Sequence, residues 1–220
     1  MNQVLCFGDS NTWGYNPYTK GRYPVGVRWT SRLKDKLSGE HINILEEGLC
    51  GRTTIYEDET RPGRKGIDSI REIFNDNTNI DGVVIMLGTN DCKTYNNSSA
   101  KEIAHGIDDC LDIVLRHVSA ENVLLLSPIH LGEKVWQEGY DTEFNKKSVV
   151  ISKALKYEYK KVARRRGVHF LSASDYAVPS KVDQEHLNES GHRKLADIIY
   201  KKLIQMNSVT YQQNYKLKIT

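Results

Sequence analysis

Long hydrophobic runs are missing from this sequence. Nothing in it approaches the roughly 18 consecutive apolar residues of a membrane-spanning helix. The opening "MNQVLCF" has neither the basic start nor the apolar core of a signal peptide. Cysteine is scarce as well: Cys6, Cys50, Cys92 and Cys110 are scattered and form no CxxC pair. That spacing argues against a disulfide framework and a structural zinc site, and it suits reduced thiols. The expectation is a cytoplasmic protein with no membrane partner. An excess of one charge is also absent. With 31 Lys and Arg against 28 Asp and Glu, the net charge of +3 is too small to suggest a nucleic-acid surface. Internal repeats and low-complexity linkers are missing too.

What is present is the composition of a globular chain, 39% hydrophobic and 27% charged over 220 residues. That length suits one well-buried core, so a single domain over 1–220 is expected, ending in a polar tail from 207 to 220. Five short apolar runs read as strands: Val4 to Phe7, Ile42 to Leu45, Gly82 to Leu87, Asn122 to Leu126 and Val168 to Leu171. They are nearly all apolar rather than alternating, as in strands covered on both faces. Between and after them lie helical stripes. One comprises Ile103, Ile107, Leu111, Val114, Leu115 and Val118, another Ile151, Leu155, Val162 and Ala163, and the last Leu195, Ile198, Ile199, Leu203 and Met206. Alternating strands and helices predict an α/β fold with a central, mainly parallel sheet. Two loops, "YNPYTKGRYPVGVRW" and "HLGEKVWQEGYDTE", follow the first and fourth strands. At the carboxyl edge of such a sheet they would wall a pocket.

Residues able to do chemistry follow the strands. Gly8-Asp9-Ser10 comes after the first, "EEGLCGRTT" after the second, "GTND" after the third, and "DQEHLNESGH" after the fifth. In a parallel sheet all four lie at one edge. A serine hydroxyl becomes a useful nucleophile when an imidazole can take its proton, and the imidazole needs a partner on its other nitrogen. Asp183, three residues before His186, is placed for that. The Ser10 N–H, the Gly51 N–H and the Asn90 amide could hold an oxyanion. Ser10 alone would read as a helix cap, and His186 alone as a structural histidine. The four blocks together favour catalysis. Asp9 reads as a local hydrogen-bonding residue, Asp91 as a cap or a brace for the Asn90 loop, and His192 as structural. Asp9, Trp13 and Cys50 are expected to line the substrate pocket. Cys50 and Cys92 each sit beside an oxyanion donor, either both buried or with one reachable from the cleft. "KKVARRRG" reads as the solvated end of a helix rather than an anion site, and "GTNDCK" lacks the spacing of a Walker A loop.

These blocks resemble the SGNH (GDSL-type) hydrolase family: G-D-S at Gly8 to Ser10, G-x-x-G at Gly48 to Gly51, G-x-N-D at Gly88 to Asp91, and D-x-x-H at Asp183 to His186. "FGDSNTWGY", "EEGLCGRTT" and "RYP…RW" are similar to its arylesterase and acyltransferase branch. The resemblance implies a flavodoxin-like three-layer α/β/α sandwich on a five-stranded sheet. It also implies a Ser10–His186–Asp183 triad and an oxyanion hole of Ser10, Gly51 and Asn90. Glu46 departs from an asparagine common in the second block, and Cys50 from a serine expected in that branch. The function to expect is a serine esterase acting on small aryl or short-chain acyl esters, with acyl transfer where an alcohol replaces water. The alternatives are a carbohydrate O-acetyl esterase of the same family and a non-catalytic binding protein on the same fold. Expected partners are a small-molecule ester, with no nucleic acid, no membrane, no cofactor and no metal; a homo-oligomer stays open.

Overall fold

The computed structural model describes residues 1–76 and 79–217, of which 208–217 by backbone alone. In chain order the elements are β1 (Gln3–Gly8), α1 (Ser10–Trp13), β2 (Tyr15–Asn16), β3 (Gly21–Arg22), α2 (Trp29–Leu37), β4 (Asn43–Gly48) and α3 (Gly66–Asp76). There follow β5 (Gly82–Met86), α4 (Ala100–Val114), β6 (Val123–Ser127), α5 (Lys146–Arg166), β7 (His169–Ser172) and α6 (Glu189–Leu217). The main sheet has the order β4-β1-β5-β6-β7 with every pairing parallel, and β2 and β3 form a separate antiparallel ribbon. Counted within the main sheet, this is the 2-1-3-4-5 order of doubly wound folds. The strand order reverses at β1, so the loop after β1 opens into a crevice.

Period-two alternation divides the sheet's side chains between two cores. Val4, Cys6, Val84, Met86, Leu124 and Leu126 pack with Trp29 and Leu33 of α2 and Leu195 and Ile199 of α6. Leu5, Phe7, Val83, Ile85, Val123 and Leu125 face Ile70 of α3, Ile103 and Leu111 of α4, and Leu155 and Val162 of α5. The result is a three-layer sandwich with two helices on one face and three on the other. α4 opens with a capping box between Ser99 and Glu102, and α5 with one between Asn145 and Ser148, so both helices start at defined residues. Arg165 and Arg166, in the basic run that closes α5, pair with Asp108 of α4 at 2.8 and 2.6 Å. These two charges brace α4 against α5.

All five expected strands form. β4 runs to Gly48, beyond the expected end at Leu45, because an edge strand tolerates Glu46 and Glu47. α2 and α3 were not anticipated. Their apolar stripes are short, Trp29, Leu33 and Leu37 in one and Ile70 and Phe74 in the other, and are set among charges. The polar tail continues α6 as helical backbone to Leu217, and 218–220 lie outside the described residues. Among the described residues no helix is long and apolar enough to cross a membrane.

Candidate active site

Asp9 closes β1 as an N-cap, accepting from the Asn11 N–H at 2.9 Å, and this starts the single turn of α1. Ser10 is its first residue, so its N–H belongs to the helix start and has no helical acceptor. The backbone of α1 lies so close to Gly48 that a Cβ there would stand 2.1 Å from the Trp13 nitrogen. Only glycine permits that approach. Gly14, at φ 89°, ends the turn in a left-handed cap.

The loop after β7 returns His186 to this point. Its Nε2 stands 2.8 Å from Ser10 Oγ and its Nδ1 2.7 Å from Asp183 Oδ2. With the Nδ1 proton directed at Asp183, Nε2 accepts from the serine hydroxyl. The second Asp183 oxygen accepts the N–H groups of Glu185 and His186 at 3.1 and 3.0 Å, which fixes the carboxylate in the turn. A further bond joins the two loops: the Leu187 N–H donates to Asn11 Oδ1 at 2.9 Å. Tyr15 packs its ring on His186 with centroids 4.3 Å apart.

The two middle loops are tied to the same centre. Asn90 Nδ2 donates to the Arg52 carbonyl at 3.0 Å. The Arg52 guanidinium donates to the carbonyls of Gly8 and Glu47 at 3.0 and 2.5 Å and stacks over Phe7. Asp91 accepts from the Thr54 N–H at 2.9 Å and from its hydroxyl, bracing the Gly51 loop against the Asn90 loop. Gly51 turns the chain at φ 84°, where a side chain would be strained. Glu46, the departure from the family's asparagine, binds Arg28 at 3.2 Å and Thr30 Oγ1 at 2.8 Å. It therefore anchors the loop that carries β2 and β3.

A cleft of about 460 Å³ opens over Ser10 and His186. Both long loops wall it, the first through Tyr15, Pro17 and Lys20 and the second through Gly139 to Thr142. Lys93, Arg61 and Glu185 add charge to the lining. Cys50 lines the cleft, half-buried, with its thiol pushed up to about 11 by burial and the nearby Asp9. Cys6, Cys92 and Cys110 are buried. Two expected pocket residues lie elsewhere. Asp9 is fully buried beneath the serine, and Trp13 is covered by the Arg22 guanidinium, 5.3 Å from its ring. Tyr15, the residue after the left-handed turn at Gly14, is the aromatic that meets the histidine.

Electrostatics follow from burial. It raises the carboxyls of Asp9 and Glu185, and it lifts Asp91 to about 6 although the Thr54 bonds oppose the rise. For His186 burial disfavours the charged ring, but Glu185, Asp183 and Asp9 together outweigh it and hold the imidazole above its ordinary range. His192 is the opposite case. Buried in α6 and accepting from the Trp29 N–H at 3.3 Å, it is lowered to about 3 by burial and nearby cations, which suits a structural histidine. Among the described residues no group of His, Cys, Asp and Glu has the arrangement of a metal site.

The model of the GDSL-like lipase/acylhydrolase family matches residues 6–194. The chain belongs to that family. As a family member it is a carboxylic ester hydrolase, which sets aside the non-catalytic alternative. A solved structure 35% identical to this chain covers 94% of it and 98% of its own length at a TM-score of 0.87. The native aryl esterase of M. smegmatis is 29% identical over 94% of this chain and 100% of its own, with a TM-score of 0.82. A carbohydrate acetylesterase from Sinorhizobium meliloti is 31% identical over 94% and 100%, with a TM-score of 0.83. No curated protein matches the sequence. Within the family fold, two features of this chain were not read from its sequence. One is the Asn11–Leu187 bond, which joins residues 176 apart. The other is the carboxylate of Glu185 in the cleft.

Proposed function

We propose that this acylhydrolase cleaves small, short-chain carboxylic esters through an acyl-serine. Ser10 is the nucleophile, His186 the general base and Asp183 its orienting partner. The observation that carries the reading is the chain from Ser10 Oγ to His186 to Asp183, with links of 2.8 and 2.7 Å, at the mouth of a cleft beside Asn90. The Ser10 oxygen forms a bond to the ester carbonyl carbon as its proton passes to His186 Nε2. The negative charge on the carbonyl oxygen is met by the N–H groups of Ser10 and Gly51 and the amide of Asn90. Collapse breaks the bond to the alcohol, which leaves with the proton from His186. A water then gives its proton to His186 and attacks the acyl carbon, restoring the serine. An alcohol in place of that water gives acyl transfer.

The apolar part of the lining is small, chiefly Tyr15, Pro17 and Val182, and suits a short acyl or aryl group. The charged part, Lys20, Arg61, Lys93, Asp141 and Glu185, favours a second reading in which the alcohol is polar, as in an acetylated carbohydrate. A p-nitrophenyl ester series from acetate to octanoate, run beside acetylated xylose, tests both. Activity is expected to fall with acyl length, and no turnover of any ester would overturn the assignment.

Two further results are expected. Turnover requires neutral His186, so kcat/KM rises as its proton is lost, and the raised pKa puts that limb alkaline of the ordinary ~6.5. Asp183→Asn removes a charge that raises the pKa, so the limb should move to lower pH while the plateau falls. An unmoved limb would separate Asp183 from His186. Iodoacetamide should modify Cys50 ahead of the three buried cysteines, slowly at neutral pH because the thiol is raised to about 11. Mass mapping and assay of one sample check this. Full activity with Cys50 alkylated would show that its side chain does not reach the substrate path.

A further inference from the structure

Glu185 is 7% exposed, yet it lines the cleft. Among the described residues its carboxylate takes no hydrogen bond, and its Oε1 stands 3.7 Å from His186 Nε2, beyond hydrogen-bond length. Lys93, a cation of the same lining, is engaged elsewhere. With 3% of its side chain exposed, it pairs with Glu143 and lies 3.8 Å from Asp141. The turn that presents Glu185 is held in place. Gln184 adopts φ 64°, its N–H donates to the Ser180 carbonyl at 2.8 Å, and its own carbonyl accepts from Gly132 at 2.7 Å. A cleft-facing carboxylate with no protein donor is open to a donor from a ligand, and losing its water without gaining one is costly.

We propose that Glu185 selects esters whose alcohol carries a free hydroxyl next to the ester oxygen, as sugars and other polyols do. The inference rests on the esterase reading and refines it. His186 Nε2 must hand its proton to the leaving oxygen, so that oxygen comes within hydrogen-bond reach of Nε2. Oε1 of Glu185 is 3.7 Å from the same nitrogen. A hydroxyl on the adjacent carbon of the alcohol therefore falls beside the carboxylate and donates to it, in a charge-assisted bond. A neutral donor forms this bond without disturbing the Lys93 pairs. An alcohol lacking the hydroxyl strips water from the carboxylate and returns nothing, the situation in which a site rejects an analogue most strongly.

The test compares 2-hydroxyethyl acetate with ethyl acetate, which share an acyl group, each rate normalised to alkaline hydrolysis of the same ester. The wild-type enzyme should favour the hydroxyethyl ester in kcat/KM by about 10-fold or more. Glu185→Leu should bring the ratio close to one. Glu185→Gln, isosteric and still an acceptor through its carbonyl, should fall between. A wild-type ratio near one overturns the proposal without any variant, and so does a Leu variant that keeps the wild-type ratio. If the Leu variant does not fold, an unchanged ratio in the Gln variant has the same force. Phenyl acetate separates the two levels of inference. Turnover of phenyl acetate with a flat ratio removes only the role of Glu185, whereas no turnover of any of the three esters removes the esterase reading beneath it.

Discussion

Ser10→Ala is expected to lower kcat for p-nitrophenyl acetate on the order of 10⁶-fold, and His186→Ala by a similar factor. On the proposed mechanism the two side chains act as one unit, the hydroxyl at 2.8 Å from Nε2 reacting only as the ring accepts its proton. Removing both should therefore cost little more than removing either, and that non-additivity is the decisive measurement. Multiplied losses in the double variant would mean that the residues act separately. Ser10→Ala should leave the fold in place, because the α1 turn depends on the Asp9 cap and the Gly14 close rather than on the hydroxyl. The thermal midpoint should stay within ~2–4 °C, about what 1 kcal/mol produces in a chain of this size. Near-wild-type turnover by this variant would sink the nucleophile assignment.

The strands were legible because each is a nearly unbroken apolar run, and burial on both faces leaves such runs no alternative. The candidate site was legible for a related reason: Ser10 and Asn90 follow closely on the ends of β1 and β5, and the loop after β7 carries His186 back to the same edge, so position along the chain implies position at the edge. What escaped depends on loop conformation. Tyr15, just after the left-handed Gly14, lines the cleft where Trp13 was expected, and no spacing rule announces it. Gln184, non-glycine at φ 64°, belongs to the turn that brings Glu185 of the D-x-x-H block into the cleft lining. Asn11 and Leu187 meet only once the whole sheet is built, which leaves no local pattern to read. Asp91 was read as a cap or a brace for its own loop. It is a brace, and its partner is Thr54 on the neighbouring loop, so the Gly51 and Asn90 loops hold each other.

That mutual bracing sets the second large expected effect. Asn90→Ala should lower kcat by on the order of 10²–10³ with a much smaller change in KM. The Asn90 amide has two N–H donors, and one is spent on the Arg52 carbonyl at 3.0 Å. Arg52 is itself fixed to the carbonyls of Gly8 and Glu47, so the amide is held to the frame of β1 and β4. In the proposed oxyanion hole the second N–H is positioned before substrate arrives, and its bond would strengthen only as charge develops on the carbonyl oxygen. An interaction made chiefly in the transition state appears in kcat, whereas equal loss in ground and transition states would appear in KM alone. A cost in stability is also expected, on the order of 1–3 kcal/mol, because the Arg52 carbonyl loses a buried donor. Phosphonylation of Ser10 supplies an independent reading. It too builds negative charge on an oxygen held in the same place, so its rate should fall in parallel with kcat. If KM rises while kcat and the phosphonylation rate stay at wild-type values, Asn90 binds substrate without stabilising the oxyanion, and the hole consists of the two backbone donors alone.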